Sequence, residues 1–155
     1  MSRYSVAILG ASGLVGQRLQ ELLYNHPFFE VVAIAGSPKH VGLMFEEIEW
    51  RLDSQRPNYD ILICSMSDIP DVDITFSALP SNVAEIVEPS LVARGIHVFS
   101  NASAFRRVAG IPLVIPEINP EAMQAYEGHA CATNCTVVPV VMPIKGLLPL
   151  GIKSV

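Results

Sequence analysis

Cys135 is the residue of this sequence that most clearly indicates catalytic chemistry. Its thiol lies far downstream of a glycine-rich loop at residues 10–16. A thiolate is a strong nucleophile, and glycines let a phosphate group approach the backbone closely. Together the two features indicate an oxidoreductase that forms a thioester on cysteine. A lone cysteine is more often a small buried hydrophobe, and Cys64, in the apolar run 61–64, fits that alternative.

The glycine-rich loop has the spacing G-x-x-G-x-x-G, which is a variant of the dinucleotide-binding fingerprint. It follows an apolar run at residues 6–9 and precedes a segment with helical spacing of apolar residues. In that context the N–H groups and the dipole of the helix point at a pyrophosphate. The alternative is a tight structural turn.

The segment 35–40, at the end of the second predicted strand, discriminates between nicotinamide cofactors. It lacks the acidic residue that binds the ribose 2′-hydroxyl of NAD, and it offers hydroxyl and cationic groups instead. These groups suit a 2′-phosphate, so the sequence predicts NADP. The alternative is a solvated basic turn.

Two polar segments complete the candidate chemistry. Arg106 follows a predicted strand, where open α/β sheets place ligand-binding loops, and a guanidinium can hold a phosphate through two parallel hydrogen bonds; the alternative is a surface pair with Arg107. A helix that starts near Thr136 would place Cys135 at its N-terminus, where the dipole favours thiolate and N–H groups can hold an oxyanion.

The elements that must position these groups alternate between strands and helices, which predicts an α/β fold with a doubly wound, mostly parallel sheet of the Rossmann type. Gly95 is the predicted C′ residue of the second helix, and residues 39–57 form a polar excursion. After Pro112 the chain is punctuated by prolines, as in a connection toward a second structural unit. The predicted strands are 6–9, 29–35, 60–64, 72–79 and 96–100, and the predicted helices are 14–24 and 82–94.

Composition narrows the classes of protein. The 155 residues carry a net charge of −5, and no Lys/Arg cluster exceeds two residues, which argues against nucleic-acid and anionic-membrane surfaces. The hydrophobic share of 50% and the mean hydropathy of +0.40 fit a buried parallel sheet, or an apolar surface that lies against a missing segment or a partner. The three cysteines have no spacing typical of a disulfide framework, and no apolar run reaches the length of a signal peptide or a transmembrane helix. We therefore expect the protein in the reducing cytoplasm.

A metal site is not predicted. His129, Cys131 and Cys135 have the spacing H-x-C-x₃-C, which lacks a fourth ligand and matches no standard zinc pattern.

Five separated segments together resemble the aspartate-β-semialdehyde dehydrogenase family, in its archaeal and fungal type more than in its common bacterial type. The resemblance implies NADP-dependent, reversible conversion of aspartyl phosphate to aspartate semialdehyde, in the biosynthesis of lysine, threonine and methionine. It covers nearly the whole chain. The segments are residues 10–16, 77–81, 101–106, 112–121 and 134–136.

The resemblance also implies roles for individual residues. Cys135 would be the nucleophile, Asn134 would position the acyl group, and Arg106 with Asn101 would bind phosphate. Ser37 and Lys39 would contact the 2′-phosphate. The other implied cofactor contacts are Gly10, Ser12, Gly13, Leu14 and Val15 at the pyrophosphate, and Ser77, Leu79 and Pro80 on the nicotinamide side.

Several departures from the family pattern concern the region around the thiol. Thr133 stands where the family usually has proline, and Pro143 is expected to kink or end the helix that follows Cys135, whereas Pro139 is tolerable in its first turn. The family's general-base histidine and carboxylate-binding arginine lie in a second domain, and neither His97 nor His129 is a convincing substitute.

The resemblance therefore divides the chain at the thiol. Residues 1–134 are expected to form the dinucleotide-binding domain, and residues 135–155 the start of a truncated catalytic and dimerisation domain. The full-length enzyme would be a cytoplasmic homodimer or homotetramer, in which a last helix returns to cover the first domain. The chain alone is expected to bind NADPH without turnover.

Two alternatives stay open. One is a related acyl reductase that uses malonyl-CoA or N-acetyl-glutamyl phosphate, although the latter enzymes usually have glycine where Asn134 stands. The other is a non-catalytic NADP-binding or regulatory domain with a vestigial thiol, which the early end of the chain and the prolines after Cys135 favour weakly.

Overall fold

The computed structural model describes residues 2–151, and within this range seven parallel strands form one sheet in the order β3-β2-β1-β4-β5-β7-β6. The strands are β1 (Tyr4–Leu9), β2 (Phe29–Ala35), β3 (Ile63–Cys64), β4 (Ile74–Ser77), β5 (His97–Ser100), β6 (Leu113–Val114) and β7 (His129–Ala132). The helices are α1 (Leu14–Leu23), α2 (Ser81–Ala93) and α3 (Val138–Leu147), with short 3₁₀ turns at Phe45–Glu47, Pro120–Ala125 and Leu148–Leu150.

The strand order confirms the predicted doubly wound sheet. From β1 the chain moves outward to β2 and β3, and then it returns to the other side of β1 to form β4. The order of strands thus reverses between β1 and β4. In open α/β sheets a crevice opens at the carboxyl ends of the strands at such a reversal, and ligands bind there.

The hydrophobic core has one layer on each face of the sheet. Residues 6–9 of β1 are fully buried and contribute alternately to the two layers. One layer packs beneath α2 through Leu91, and the other packs beneath α1 through Leu23. The excursion at residues 39–57 joins the second layer, because Phe45 is buried there.

The end of α2 has the geometry predicted for Gly95, which has a φ of +81°. Its N–H donates to the carbonyl oxygen of Val92, and the N–H of Ile96 donates to that of Leu91. This pair of bonds is a Schellman motif, in which glycine avoids the steric cost of positive φ.

The part of the chain after Pro112 differs from the expectation of a simple connection, because β6 and β7 extend the sheet. α3 begins two residues later than expected, and it continues through Pro143 to Leu147. The proline removes only one backbone donor, and Lys145 anchors the second half of the helix by donating to the carbonyl oxygens of Glu117 and Ile118. Residues 152–155, the end of the predicted second domain, lie outside the described residues.

An apolar groove of about 440 Å³ runs over β4, β5 and β7 on the face of the sheet that carries α1. Phe76 and Phe99 stack on its floor with ring centroids 5.7 Å apart, and Val15, Leu19 and Met123 form its walls. Among residues 2–151, no helix is long and apolar enough to cross a membrane.

Candidate active site

The glycine loop connects β1 to α1 and lies at the reversal of the strand order. The N–H groups of Gly10 and Ala11 donate to the carbonyl oxygen of Ala35 at the end of β2, with N···O distances of 3.0 and 3.1 Å. The first turn of α1 has neither a side-chain cap nor an acidic residue. The positive end of the helix is therefore available to an anion.

Glycine is required at two of the three glycine positions of the loop for steric reasons, and the third position is sterically open. Gly10 has a φ of +97°, and a Cβ atom there would lie 2.7 Å from the carbonyl oxygen of Ala78. A Cβ atom on Gly16 would overlap the carbonyl oxygen of Gly10, so this glycine lets α1 pack closely on the loop. At Gly13 the nearest atom would be 3.7 Å away. At Gly13, therefore, no protein atom packs closely against the backbone, and the space beside it is free for a ligand.

A cavity of about 340 Å³ joins the glycine loop to the ends of β2 and β4. Of the predicted cofactor residues, Gly10, Ser12, Gly13, Ser37, Leu79 and Pro80 line it. Leu14 and Val15 are exposed at the start of α1, and Val15 lines the apolar groove instead. The cavity has the position and the glycine cradle that a dinucleotide requires.

The loop after β2 presents the polar groups predicted for a 2′-phosphate. Ser37 is exposed, and its Oγ lies 3.1 Å from Nδ1 of His40. Lys39 is exposed, outside the lining of the cavity. His40 is a further polar side chain at this loop, and it stands in the same six-residue segment as Ser37 and Lys39.

Ser77 is a predicted cofactor residue whose side chain points into the protein and does not line the cofactor cavity. It is 1% exposed, and its hydroxyl donates to Glu88 of α2 at 2.6 Å. The cofactor cavity is lined instead by the three residues that follow, 78–80. A role of Ser77 on the nicotinamide side stays a prediction.

Arg106 ties the loop after β5 to the end of β7. Its Nη2 donates to the carbonyl oxygen of Asn101 at 2.8 Å, and its Nε donates to that of Ala132 at 3.0 Å. The guanidinium has further N–H donors, and it lines a cavity of about 570 Å³ together with Arg107 and Asn134. The side chain of Arg106 is therefore held in place beside residues that flank the thiol, with donors left for an anion.

Cys135 lies in a polar turn between β7 and α3. The side-chain Oδ1 of Asn134 accepts hydrogen bonds from the N–H and the hydroxyl of Thr136, both at 2.9 Å, and it lies 3.5 Å from Sγ of Cys135. The N–H of Val137 donates to the carbonyl oxygen of Asn134 at 2.9 Å. This Asx-type turn presents the thiol at the surface, three residues before α3 begins.

The three cysteines have contrasting environments. Burial raises the pKa of the Cys131 thiol to about 11, with a smaller increase from the charge of Glu88 that the positive charge of Arg106 opposes. Burial also raises the pKa of Cys64. Cys135 is exposed. The structure therefore leaves Cys135 as the accessible thiol, and it places Cys64 and Cys131 in the core role.

Histidines and metal ligands do not gather around the thiol in the described part of the chain. His129 is buried and its Nε2 lies 3.0 Å from a carboxylate oxygen of Glu88, while Nδ1 of His97 lies 2.8 Å from the hydroxyl of Tyr126. Both imidazoles are thus engaged elsewhere. Within residues 2–151, no group of three or more His, Cys, Asp or Glu side chains is placed to hold a metal ion.

Comparison with known proteins agrees with this geometry. Residues 5–126 match the family described as semialdehyde dehydrogenase, NAD binding domain. An aspartate-semialdehyde dehydrogenase of Archaeoglobus fulgidus is 40% identical over 99% of this chain and 49% of its own length. A protein of the same name from Methanothermobacter thermautotrophicus is 43% identical over 91% of this chain and 45% of its own length.

A solved structure extends the comparison to three dimensions. The crystal structure of aspartate semialdehyde dehydrogenase with NADP from Candida albicans superposes with a TM-score of 0.87 at 31% identity, and the match covers 96% of this chain and 47% of that one. The chain spans about half the length of the curated relatives it matches. It belongs to the semialdehyde dehydrogenase family, and it contains that family's NAD-binding domain.

Proposed function

We propose that this chain is the cofactor-binding and nucleophile-bearing part of an NADP-dependent aspartate-semialdehyde dehydrogenase. The observation that carries the proposal is that three groups follow the carboxyl ends of parallel strands in one sheet. These are the glycine cradle, the anchored Arg106, and the exposed thiol of Cys135 in its Asx-type turn. The names of the relatives supply one substrate, aspartate semialdehyde. Aspartyl phosphate, the other member of the pair, is what the resemblance of the sequence implies.

NADP fits the residues of the cavity better than NAD does. The open backbone at Gly13 and the uncapped start of α1 suit a pyrophosphate, and Ser37 with Lys39 suits a 2′-phosphate. The related protein of Candida albicans was crystallised with NADP. When bound, NADP supplies the acceptor or donor of a hydride.

The thiol of Cys135 performs the covalent chemistry. In the phosphorylating direction its thiolate attacks the aldehyde carbon, and a carbon–sulfur bond forms. Once the carbon reaches the oxidation level of a thioester, an oxygen of inorganic phosphate attacks it, the carbon–sulfur bond breaks, and the thiolate leaves with its electron pair. The products are the acyl phosphate and the regenerated thiolate.

The neighbours of the thiol bind and orient the reacting groups. Arg106, held through Nε and Nη2, offers its remaining N–H donors to phosphate. Asn134 fixes the turn and positions the acyl group through its side-chain amide. Asn101 supplies the carbonyl that anchors Arg106, and its own amide is the proposed second contact to phosphate.

The remaining machinery is proposed to lie in a second domain. Residues 1–134 form the cofactor domain in this proposal, and residues 135–155 begin the catalytic and dimerisation domain of a homodimer or homotetramer. That domain would supply a general base, since His97 and His129 are engaged elsewhere. It would also cover the apolar groove over β4, β5 and β7 with its last helix.

Two assays on the purified chain test the proposal. NADPH should quench the fluorescence of Trp50 or show energy transfer from it, and it should bind equally well to Cys135→Ser, because the thiol is not part of the cofactor cavity. Aspartate semialdehyde, phosphate and NADP should give no NADPH with the chain alone. Failure to bind NADPH would contradict the proposed function, and robust turnover would contradict the proposed second domain.

A further inference from the structure

Glu88 is a fully buried carboxylate in the middle of α2, and the chemistry proposed above does not use it. Its Oε1 accepts hydrogen bonds from the hydroxyls of Ser77 and Ser100 at 2.6 and 2.8 Å, and its Oε2 lies 3.0 Å from Nε2 of His129. The helix thereby contacts three neighbouring strands, β4, β5 and β7, through one side chain.

Two of the three partners of Glu88 end their strands directly beside the candidate active site, and the third begins a strand that leads to it. Ser77 immediately precedes residues 78–80, which line the cofactor cavity. Ser100 immediately precedes Asn101, whose carbonyl anchors Arg106. His129 begins β7, the strand that leads into the cysteine turn.

The register of the sheet explains how one side chain reaches all three strands. Ser77 pairs with Ser100, and Val98 pairs with His129, so the partners point to the face of the sheet that carries α2. The hydroxyl of Ser100 also accepts a hydrogen bond from the N–H of Ala102 at 3.1 Å. This bond extends the network into the loop after β5, residues 101–107, which contains Arg106 and is called the phosphate loop below.

Stability alone does not account for a carboxylate at this position. Burying a charge is costly, and apolar residues of similar volume are often at least as stabilising as a buried ion pair. Networks of satisfied polar groups instead fix one arrangement of the elements that they join. Here the elements are β4, β5 and β7. They lead into residues 78–80 at the cofactor cavity, into the phosphate loop, and into the turn at residues 134–137 that holds Cys135.

We infer that Glu88 is a positioning residue that sets the relative placement of the NADP site and the phosphate site through Ser77, Ser100 and His129. The inference rests on the proposed function. Ser77 and Ser100 both donate to Oε1, and the imidazole of His129 donates to Oε2 when Nε2 carries its proton, so the network uses acceptors at both carboxylate oxygens. A glutamine would keep the size of the side chain but turn a donor toward one of these partners.

The decisive variant is Glu88→Gln in the purified chain, with Glu85→Gln as the matched control. Glu85 lies on the same helix and is exposed. Two quantities are measured well below the unfolding temperature. One is the dissociation constant of NADPH, and the other is the extent to which added inorganic phosphate protects Cys135 from alkylation. We expect Glu88→Gln to raise the dissociation constant of NADPH about tenfold, and to raise the phosphate concentration needed for protection about tenfold. We expect Glu85→Gln to leave both quantities unchanged.

Single-contact variants keep the inference testable if Glu88→Gln does not fold. Ser77→Ala is expected to weaken NADPH binding several-fold with little effect on phosphate protection, and Ser100→Ala is expected to show the opposite selectivity. A merely structural role would lower the unfolding temperature of both variants without this split between the two ligands.

The outcomes separate the inference from the function on which it rests. If the wild-type chain and Glu85→Gln fail to bind NADPH, the proposed function is wrong. If both bind NADPH, and if the folded variants of Glu88, Ser77 and Ser100 bind NADPH and phosphate as the wild type does, the positioning role of Glu88 is wrong.

Discussion

The glycine loop at residues 10–16 and the cysteine turn at residues 134–137 lie at the carboxyl ends of strands in the same sheet, but they are held in different ways. The glycine loop is fixed by backbone contacts, and a side chain at Gly10 or Gly16 would collide with a carbonyl oxygen. The cysteine turn is held by the side chain of Asn134, which accepts two hydrogen bonds from Thr136, and by one backbone bond from the N–H of Val137. All ten residues of the following helix, α3, are exposed or half-buried.

The two regions should therefore respond differently to amino-acid substitutions. Around the glycine loop, binding and folding depend on the same closely packed atoms, so most substitutions change both. Around the cysteine turn, the reactive group is accessible and weakly constrained, so substitutions there change reactivity with little effect on folding. The following predictions test that contrast, beginning with the largest expected effect.

Gly16→Ala is expected to destabilise the fold strongly, because its Cβ would overlap the carbonyl oxygen of Gly10 and push α1 away from the loop. Overpacking of this kind costs about 1–3 kcal/mol, and a backbone neighbour that cannot rotate away places the effect at the upper end. Chemical denaturation measures the free energy of unfolding.

Gly13→Ala is the matched control for that prediction. Its nearest neighbour would be 3.7 Å from the new Cβ, and its φ of −80° suits alanine, so the free energy of unfolding should change by less than about 0.5 kcal/mol. The affinity for NADPH should fall instead. Equal destabilisation by the two substitutions would contradict the different roles assigned to these glycines.

The cysteines should differ sharply in alkylation at pH 7.5. Since the pKa of Cys131 is raised from 9.0 to about 11, its thiolate fraction is about 100-fold below that of an unperturbed thiol, and its burial slows the reaction further. Mass spectrometry of iodoacetamide-treated protein should find the label on Cys135 first. The labelling rate of Cys131 should rise about tenfold for each pH unit toward pH 11. Labelling of Cys131 as fast as Cys135 at pH 7.5 would contradict the assignment.

Ser37→Asp should change cofactor preference while leaving the fold intact. A carboxylate at this exposed position repels a 2′-phosphate and can accept a hydrogen bond from a ribose 2′-hydroxyl. Since hydrogen bonds to charged groups contribute about 1.5–3 kcal/mol, the affinity for NADPH relative to NADH should fall at least about tenfold. Ser37→Ala should give a smaller loss, and an unchanged ratio in both variants would place the 2′-phosphate elsewhere.

Asn134→Ala should lower the free energy of unfolding modestly, by about 0.5–1.5 kcal/mol, since it removes the acceptor of an exposed turn. Asn134→Asp keeps the acceptor and should restore the stability. The added negative charge beside Cys135 disfavours thiolate, so alkylation should be slower in Asn134→Asp than in the wild type. Faster alkylation in that variant would contradict the geometry of the turn.

The same contrast explains how far the sequence could be interpreted. The glycine spacing and the long apolar runs predicted β1, α1 and β2 closely, because the period of the side chains reports burial directly. The short strands β6 and β7 have two and four residues, which is too few for a periodic signal. Their pairing depends on contacts distant in sequence, such as the bond from the N–H of Cys131 to the carbonyl oxygen of Pro112.

Glu88 shows a second limit of sequence interpretation. Glu85 and Glu88 lie three residues apart on the same helix, and Glu88 falls on the same face as the buried Ala84 and Leu91. That spacing is compatible with burial of Glu88, but nothing in residues 81–93 identifies its partners. Only the fold brings Ser77, Ser100 and His129 around Glu88. The candidate site residues could be identified from motifs, whereas the network behind them could not.

The central claim is that the chain holds a complete NADP site beside an accessible nucleophile. Calorimetric titration of the wild-type chain with NADPH and with NADH tests it most directly. We predict that NADPH binds in a one-to-one complex and that NADH binds at least about tenfold more weakly, because NADH lacks the 2′-phosphate that Ser37 and Lys39 are proposed to contact. No heat of binding with NADPH, or tighter binding of NADH, would contradict it.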